Sequence, residues 1–151
     1  MRQESGPVHA SAIKSSGFWI PGVYPMDGRQ ADKGSGKSLA VQYREEGVNL
    51  LREHFTNPPQ TGMKEGSGGN SVEAGVMEML TRFQTKRLKI FENQGKLMEE
   101  LRMYHRKEGK IVPMNDDVIS ALRYAVMSLR KARVRNTEPM QLESDSAFNL
   151  F

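Results

Sequence analysis

A chain of 151 residues is sized for one domain with a modest core. Zero cysteines exclude disulfides and thiolate metal sites, and three scattered histidines fall in no ligand spacing, so any metal has to sit on oxygen atoms. The net charge of +4 is compatible with a polyanionic partner, and with no apolar run near the ~20 residues of a membrane helix the chain reads as soluble and cytoplasmic, without a membrane partner.

Residues 1–16 read as an N-terminal segment, partly helical: MRQESGP is polar, and Val8 to Ser16 predicts a short helix ended by Gly17. Phe18 to Met26 is an apolar, aromatic run, more strand than helix although Pro21-Gly22 breaks it, and Asp27 closes it. Ser38 to Glu46 predicts a helix with Leu39, Ala40 and Tyr43 on one side and Gly47 as its stop, and Val48 to Phe55 a further strand. TNPPQTGMKEGSGG, residues 56–69, is a long loop by its prolines and glycines. Asn70 or Ser71 caps a helix with the stripe Val72, Val76, Met79, Leu80, Phe83. Leu88 and Ile90 alternate with Lys89 in a short strand, Gln94 to Tyr104 returns to helical spacing, and YHRKEGKIV turns around Glu108-Gly109. Asn115 caps a long helix with the stripe Val118, Leu122, Ala125, Val126, Leu129, and residues 136–151 read as a disordered acidic tail. Strands alternating with helices predict an α/β layer architecture.

The stretch ADKGSGKSLA, Ala31 to Ala40, ends like a phosphate-binding loop, but G-x-x-x-x-G-K-[ST] requires glycine where Ala31 stands, and the run before it is interrupted by two prolines. It reads as a glycine-rich loop entering a helix, with Lys33 and Lys37 on the surface as candidate DNA-phosphate contacts. A nucleotide-binding protein rests on GKS alone.

Acids at element ends carry more information. Asp27 stops a strand-like run, and Asp116-Asp117 start a long helix, a placement from which folding can bring a strand-end carboxylate beside a helix-start pair. Oxygen-only ligands suit Mg2+ or Mn2+, and two such ions stabilise the attacking and leaving oxygens of a phosphodiester displacement. Aspartate in a first helical turn is equally an ordinary cap or dipole partner, and Asp27-Gly28 an ordinary turn. From the residues alone both readings stay open.

VYPMDG, GKSLAVQYREEGV, GGNSVEAGVMEML and LKIFENQGKLMEELRMYHRKEGKIVPMNDDVISALRYA follow one another in this order. In order and spacing they resemble the C-terminal nuclease domain of phage large terminase subunits, over about residues 17–133. That family packages double-stranded DNA into proheads, with an N-terminal ATPase and a ribonuclease H-like, metal-dependent nuclease domain that cuts the concatemer. The resemblance implies an α/β, ribonuclease H-like nuclease domain truncated at its N-terminal strands, occupying residues 17–135. It implies catalytic, metal-ligating roles for Asp27 and for the NDD pair, Asp117 ahead of Asp116, with Mg2+ or Mn2+ as the ion. It also implies double-stranded DNA, portal, small terminase subunit and prohead as partners, in the host cell cytoplasm. Nothing in the sequence matches the strand that carries the family's first catalytic aspartate, or the ATPase, so the chain is expected to be a weak nuclease or inactive alone, the product of a split or truncated gene or a prophage remnant. Met26 and Ser120 also stand where relatives often carry histidine and a further acid.

Basic residues fit DNA handling. Arg123, Arg130, Lys131, Arg133 and Arg135 lie in a stretch with no acid between Val118 and Asn136, and Arg123, Arg130, Lys131 and Arg133 join Lys33 and Lys37 as candidate phosphate contacts. A non-catalytic basic module that binds DNA or the packaging machine is the alternative. Glu73 reads as a capping partner, His105 as a hairpin residue, and Trp19 and Tyr24 as core aromatics.

Overall fold

Helical spacing of apolar residues yields five α-helices in the computed structural model, which describes residues 6–31, 36–112 and 116–135: α1 (Gly6–Ser15), α2 (Leu39–Glu45), α3 (Val72–Gln84), α4 (Gly95–Met103) and α5 (Asp117–Met127). Two 3-10 turns, Met26–Arg29 and Leu129–Lys131, and a hairpin of β1 (Arg106–Lys107) with β2 (Lys110–Ile111) complete the regular elements among them. Lys33, Asn115 and the 136–151 tail lie outside the described residues. No described helix is long and apolar enough to cross a membrane.

The two expected strands of the first half meet in parallel, but only at Gly22 and Leu50. Gly22 N–H donates to the Asn49 carbonyl at 2.8 Å, Leu51 N–H to the Gly22 carbonyl at 2.9 Å, and further along Phe55 N–H to the Tyr24 carbonyl at 2.7 Å. α2 is the crossover that parallel pairing demands. Pro21 and Pro25 explain why pairing stops at single bridges: neither has an N–H to donate, and the chain leaves Pro25 into the 3-10 turn that carries Asp27. Arg44 of α2 supplies what the short ladder lacks. Its Nε donates to the Leu50 carbonyl at 3.3 Å, and its Nη2 to the carbonyls of Leu51 and Arg52 and to the Tyr24 hydroxyl, while its guanidinium stands 5.3 Å from the Tyr24 ring centre. Tyr24 is buried, as expected, and its hydroxyl donates to the Arg52 carbonyl at 2.8 Å.

In the second half α5 packs against α3 and α4 over a core of Met79, Leu97, Ile119 and Val126, flanked by Val76, Phe83, Leu101 and Leu122. Ser71 caps α3, its hydroxyl accepting from Ala74 N–H at 3.4 Å. The hairpin turns at Glu108 and Gly109, both at positive φ, the backbone that a tight two-residue turn between antiparallel strands requires. The expected strand at Leu88 and Ile90 does not form. Both side chains cover the core, but Lys86 at φ 58 turns the chain off α3, Arg87 and Leu88 donate back to the Arg82 carbonyl, and no described strand lies beside them.

One side chain fixes how α4 meets α5. Glu100, 2% exposed, accepts from Val118 N–H at 2.9 Å and Ile119 N–H at 3.0 Å, both through Oε2. These amides are among the four that a helix N-terminus leaves unpaired, and a carboxylate there also meets the positive end of the helix dipole. Glu100→Ala strips both amides of their partner inside the core; unfolding in urea is expected to show a loss of about 2–4 kcal/mol, and an unchanged midpoint would refute the role.

Candidate functional site

Asp27 stands in the 3-10 turn that Pro25 starts, packed on α2. Gly28 beside it is buried against Tyr24, where an added Cβ would lie 3.0 Å from Tyr24 Cδ2. The Asp27 side chain is exposed, with no hydrogen-bond partner among the described residues, and lines an apolar cavity with Val23, Tyr24, Leu39, Tyr43 and Leu50. Asp116 and Asp117 open α5. Neither side chain caps the helix; Glu100 holds two of its free amides, those of Val118 and Ile119. Asp117 is exposed; Asp116 is half-buried, with Ser120 Oγ 3.5 Å from its Oδ2. Tyr104 lies near enough to Asp116 to feel its charge: burial chiefly, and Asp116 next, raise the phenol above its usual value. Carboxylate oxygens are the right donors for a hard divalent ion, but among the described residues no three Asp, Glu, His or Cys side chains are gathered as ligands. These acids do not close a metal site by themselves.

The basic residues do not share one fate. Arg123 is not presented at the surface as expected: it is 5% exposed, with its guanidinium 4.6 Å from the Tyr124 ring centre and 5.5 Å from that of Phe55. Its Nε and Nη1 are buried without a hydrogen bond, so ring faces offset the charge in place of a carboxylate. The reason is geometric: Gly75 of α3 leaves room for the stem, and an added Cβ there would come within 2.5 Å of Arg123 Cγ. Gly75→Ala is therefore expected to lower stability by about 1–3 kcal/mol in urea unfolding.

Arg130 and Lys131, expected to face DNA, meet Glu65 of the long loop. Arg130 Nη2 and Nε reach the Glu65 carboxylate at 2.7 and 3.1 Å, and Lys131 Nζ lies 3.1 Å from it. Arg130 also donates to the Met127 carbonyl at 2.6 Å and the Thr56 carbonyl at 3.2 Å. Lys37, just before α2, pairs with Glu45 at the end of that helix at 2.8 Å, while Ser38, the last residue of GKS, caps α2 by accepting from Val41 N–H. Arg133 is exposed beyond the second 3-10 turn. Glu73 sits one place too early for reciprocal capping of α3, which needs the third helical position, and pairs with Arg106 of the hairpin, raising that guanidinium further above its usual value. His105 is exposed in the hairpin region, its Nδ1 2.7 Å from the Met103 carbonyl. Sequence reasoning missed Glu100, Arg44 and Glu65; only the acid-free stretch after Val118 hints that a distant carboxylate is needed.

Arg130, then Lys131, lower the Glu65 carboxyl from 4.5 to about 2. A group depressed on folding contributes stability that is complete above its ordinary value and fades as pH falls toward the folded one. NMR order parameters of residues 60–67 are expected to fall between pH 4.5 and 2 while those of α3 hold, and Glu65→Gln is expected to abolish that transition.

Comparison with known proteins supplies a frame for this geometry. The family model described as "Terminase RNaseH-like domain" matches residues 1–129. The large terminase subunit of Salmonella phage P22 is 42% identical over 135 residues, covering 88% of this chain and 26% of that protein, and that of Enterobacteria phage LP7 is 41% identical over 128 residues, covering 83% and 25%. The chain thus spans about a quarter of the length of these relatives. The solved nuclease domain of the P22 large terminase superposes with a TM-score of 0.71 at 40% identity, over 86% of this chain and 63% of that one.

Proposed function

Because this chain belongs to the terminase RNaseH-like domain family and has its ribonuclease H-like fold, we propose that it forms part of a metal-dependent endonuclease that cuts concatemeric double-stranded DNA during phage genome packaging. The observation that carries the reading is that Glu100, not an aspartate, caps α5. A hydrogen-bonding cap is one ordinary explanation for Asp116 and Asp117; with Glu100 on those amides, neither carboxylate is spent on a cap. Asp27, exposed and unpartnered among the described residues, is the matching acid from the other half. In this reading Asp27, Asp117 and Asp116 are the chain's ligands, Mg2+ or Mn2+ is the ion because every donor is a carboxylate oxygen, and the remaining donors come from outside the described residues. Portal, small terminase subunit and prohead are the proposed assembly partners in the host cytoplasm.

A second reading, a basic module that binds DNA or the packaging machine without cutting, draws on the exposed Arg133 and Arg135 and on the open arrangement of the acids. Nicking of supercoiled plasmid in manganese separates the two. The chain and Asp27→Asn are each assayed alone and each extended by the part of the solved relative's domain that the chain does not span. Cleavage is expected in the extended form, and Asp27→Asn is expected to lower it by about 100-fold, about 2.7 kcal/mol of transition-state stabilisation. Equal cleavage by both proteins would remove Asp27 from the site, and binding without any cleavage would favour the second reading.

A further inference from the structure

The end of α5 carries an arrangement that neither the fold nor the acids require. Arg130, in the 3-10 turn after α5, is held from two sides, by the Met127 carbonyl at the end of α5 and by the Thr56 carbonyl at the start of the long loop, so its guanidinium is fixed before any anion arrives. Lys131 converges on the same point. The anion there is Glu65, the only carboxylate among the described residues that meets either cation, brought by a loop with no other ion pair among those residues. We infer that Arg130 and Lys131 form a phosphate site for double-stranded DNA which the protein's own Glu65 occupies until the DNA backbone displaces it. This rests on the DNA-handling reading and adds to it a self-blocked contact.

Three features support the exchange. The Glu65 side chain is 46% exposed, against 25% for Arg130 and 30% for Lys131, so the carboxylate returns to water at little cost while the cations stay where they are. Gly62 at φ 84 and Gly66 at φ 90 flank it, with nothing within 4 Å of either Cβ position, so that stretch can swing away without disturbing the core. A phosphate carries the same single charge as the carboxylate it replaces, and Arg133 and Arg135, exposed beyond the site, extend the positive surface along which a backbone can lie. The depressed Glu65 carboxyl is consistent with a strong anion site.

The test measures binding of the full chain to a short double-stranded DNA across a salt series. Glu65→Gln removes the charge and keeps the shape; it is expected to tighten binding about 3- to 10-fold at low salt, the scale of two half-exposed ion pairs. That advantage is expected to shrink as salt rises, because the ion pairs that the wild type must break are themselves screened. The gain is expected to vanish in Glu65→Gln/Arg130→Ala. Adding DNA to the wild type is expected to increase protease cutting within residues 60–67. If the wild type binds DNA but Glu65→Gln binds no tighter and DNA leaves the loop protected, Glu65 is only a structural clasp and the inference is overturned. If neither protein binds DNA at any salt, the inference falls together with the DNA-handling reading.

Discussion

The way α5 meets α4 is indexed to the Glu100 carboxylate. Two backbone amides of α5 and one side chain of α4 make a junction that is polar, dry and directional, whereas the leucine, isoleucine and methionine contacts around it would tolerate sliding. The junction sets the height of α5 along α4, and that height decides where Asp116 and Asp117 emerge and which turn of α5 meets Gly75. Burying a carboxylate is costly unless its lone pairs are satisfied, and a helix N-terminus satisfies them with hydrogen bonds and dipole together. The same interaction removes from the two aspartates the work that aspartates most often do at a helix start.

The sequence makes the helices legible and the strands much less so, for a physical reason. The stripes around Val72 to Phe83 and Val118 to Leu129 announce α3 and α5 because one side of each meets the core at every turn. The stretches 18–26 and 48–55 read as strands from their aromatic and branched residues, and they do run parallel, but Pro21 and Pro25 withhold the hydrogens a ladder needs, so Arg44 binds the carbonyls instead. Leu88 and Ile90 show that alternation records burial on one side only; the partner strand is a separate requirement. At the candidate site the acids were visible as residues at element ends, but the identity of the true cap depended on a glutamate seventeen positions upstream, and local patterns carry no information about such a partner.

Cations illustrate the same limit. Arg123, Arg130 and Lys131 share one acid-free stretch, yet one is enclosed by aromatic rings and two are claimed by a loop glutamate from far upstream. Helical phase separates them. Arg123 falls on the side of α5 that faces Gly75, whereas Arg130 and Lys131 follow the last full turn, where the chain tightens into a 3-10 turn and its side chains clear the core. Charge counted along a sequence is therefore a poor measure of charge available to a partner.

Phe55 belongs to both halves at once. Its amide is bound to Tyr24, three residues before Asp27, and its ring lies 4.4 Å from that of Tyr124, seven residues after Asp117. A residue anchored in this way turns two neighbouring packing units into one cooperative unit, because loosening either half frees an aromatic ring that the other half has already paid to order. In calorimetric terms, this ring and the Arg123 guanidinium above it favour a single melting transition over two, and so favour the acids of the first half and those of α5 keeping their relative positions up to global unfolding.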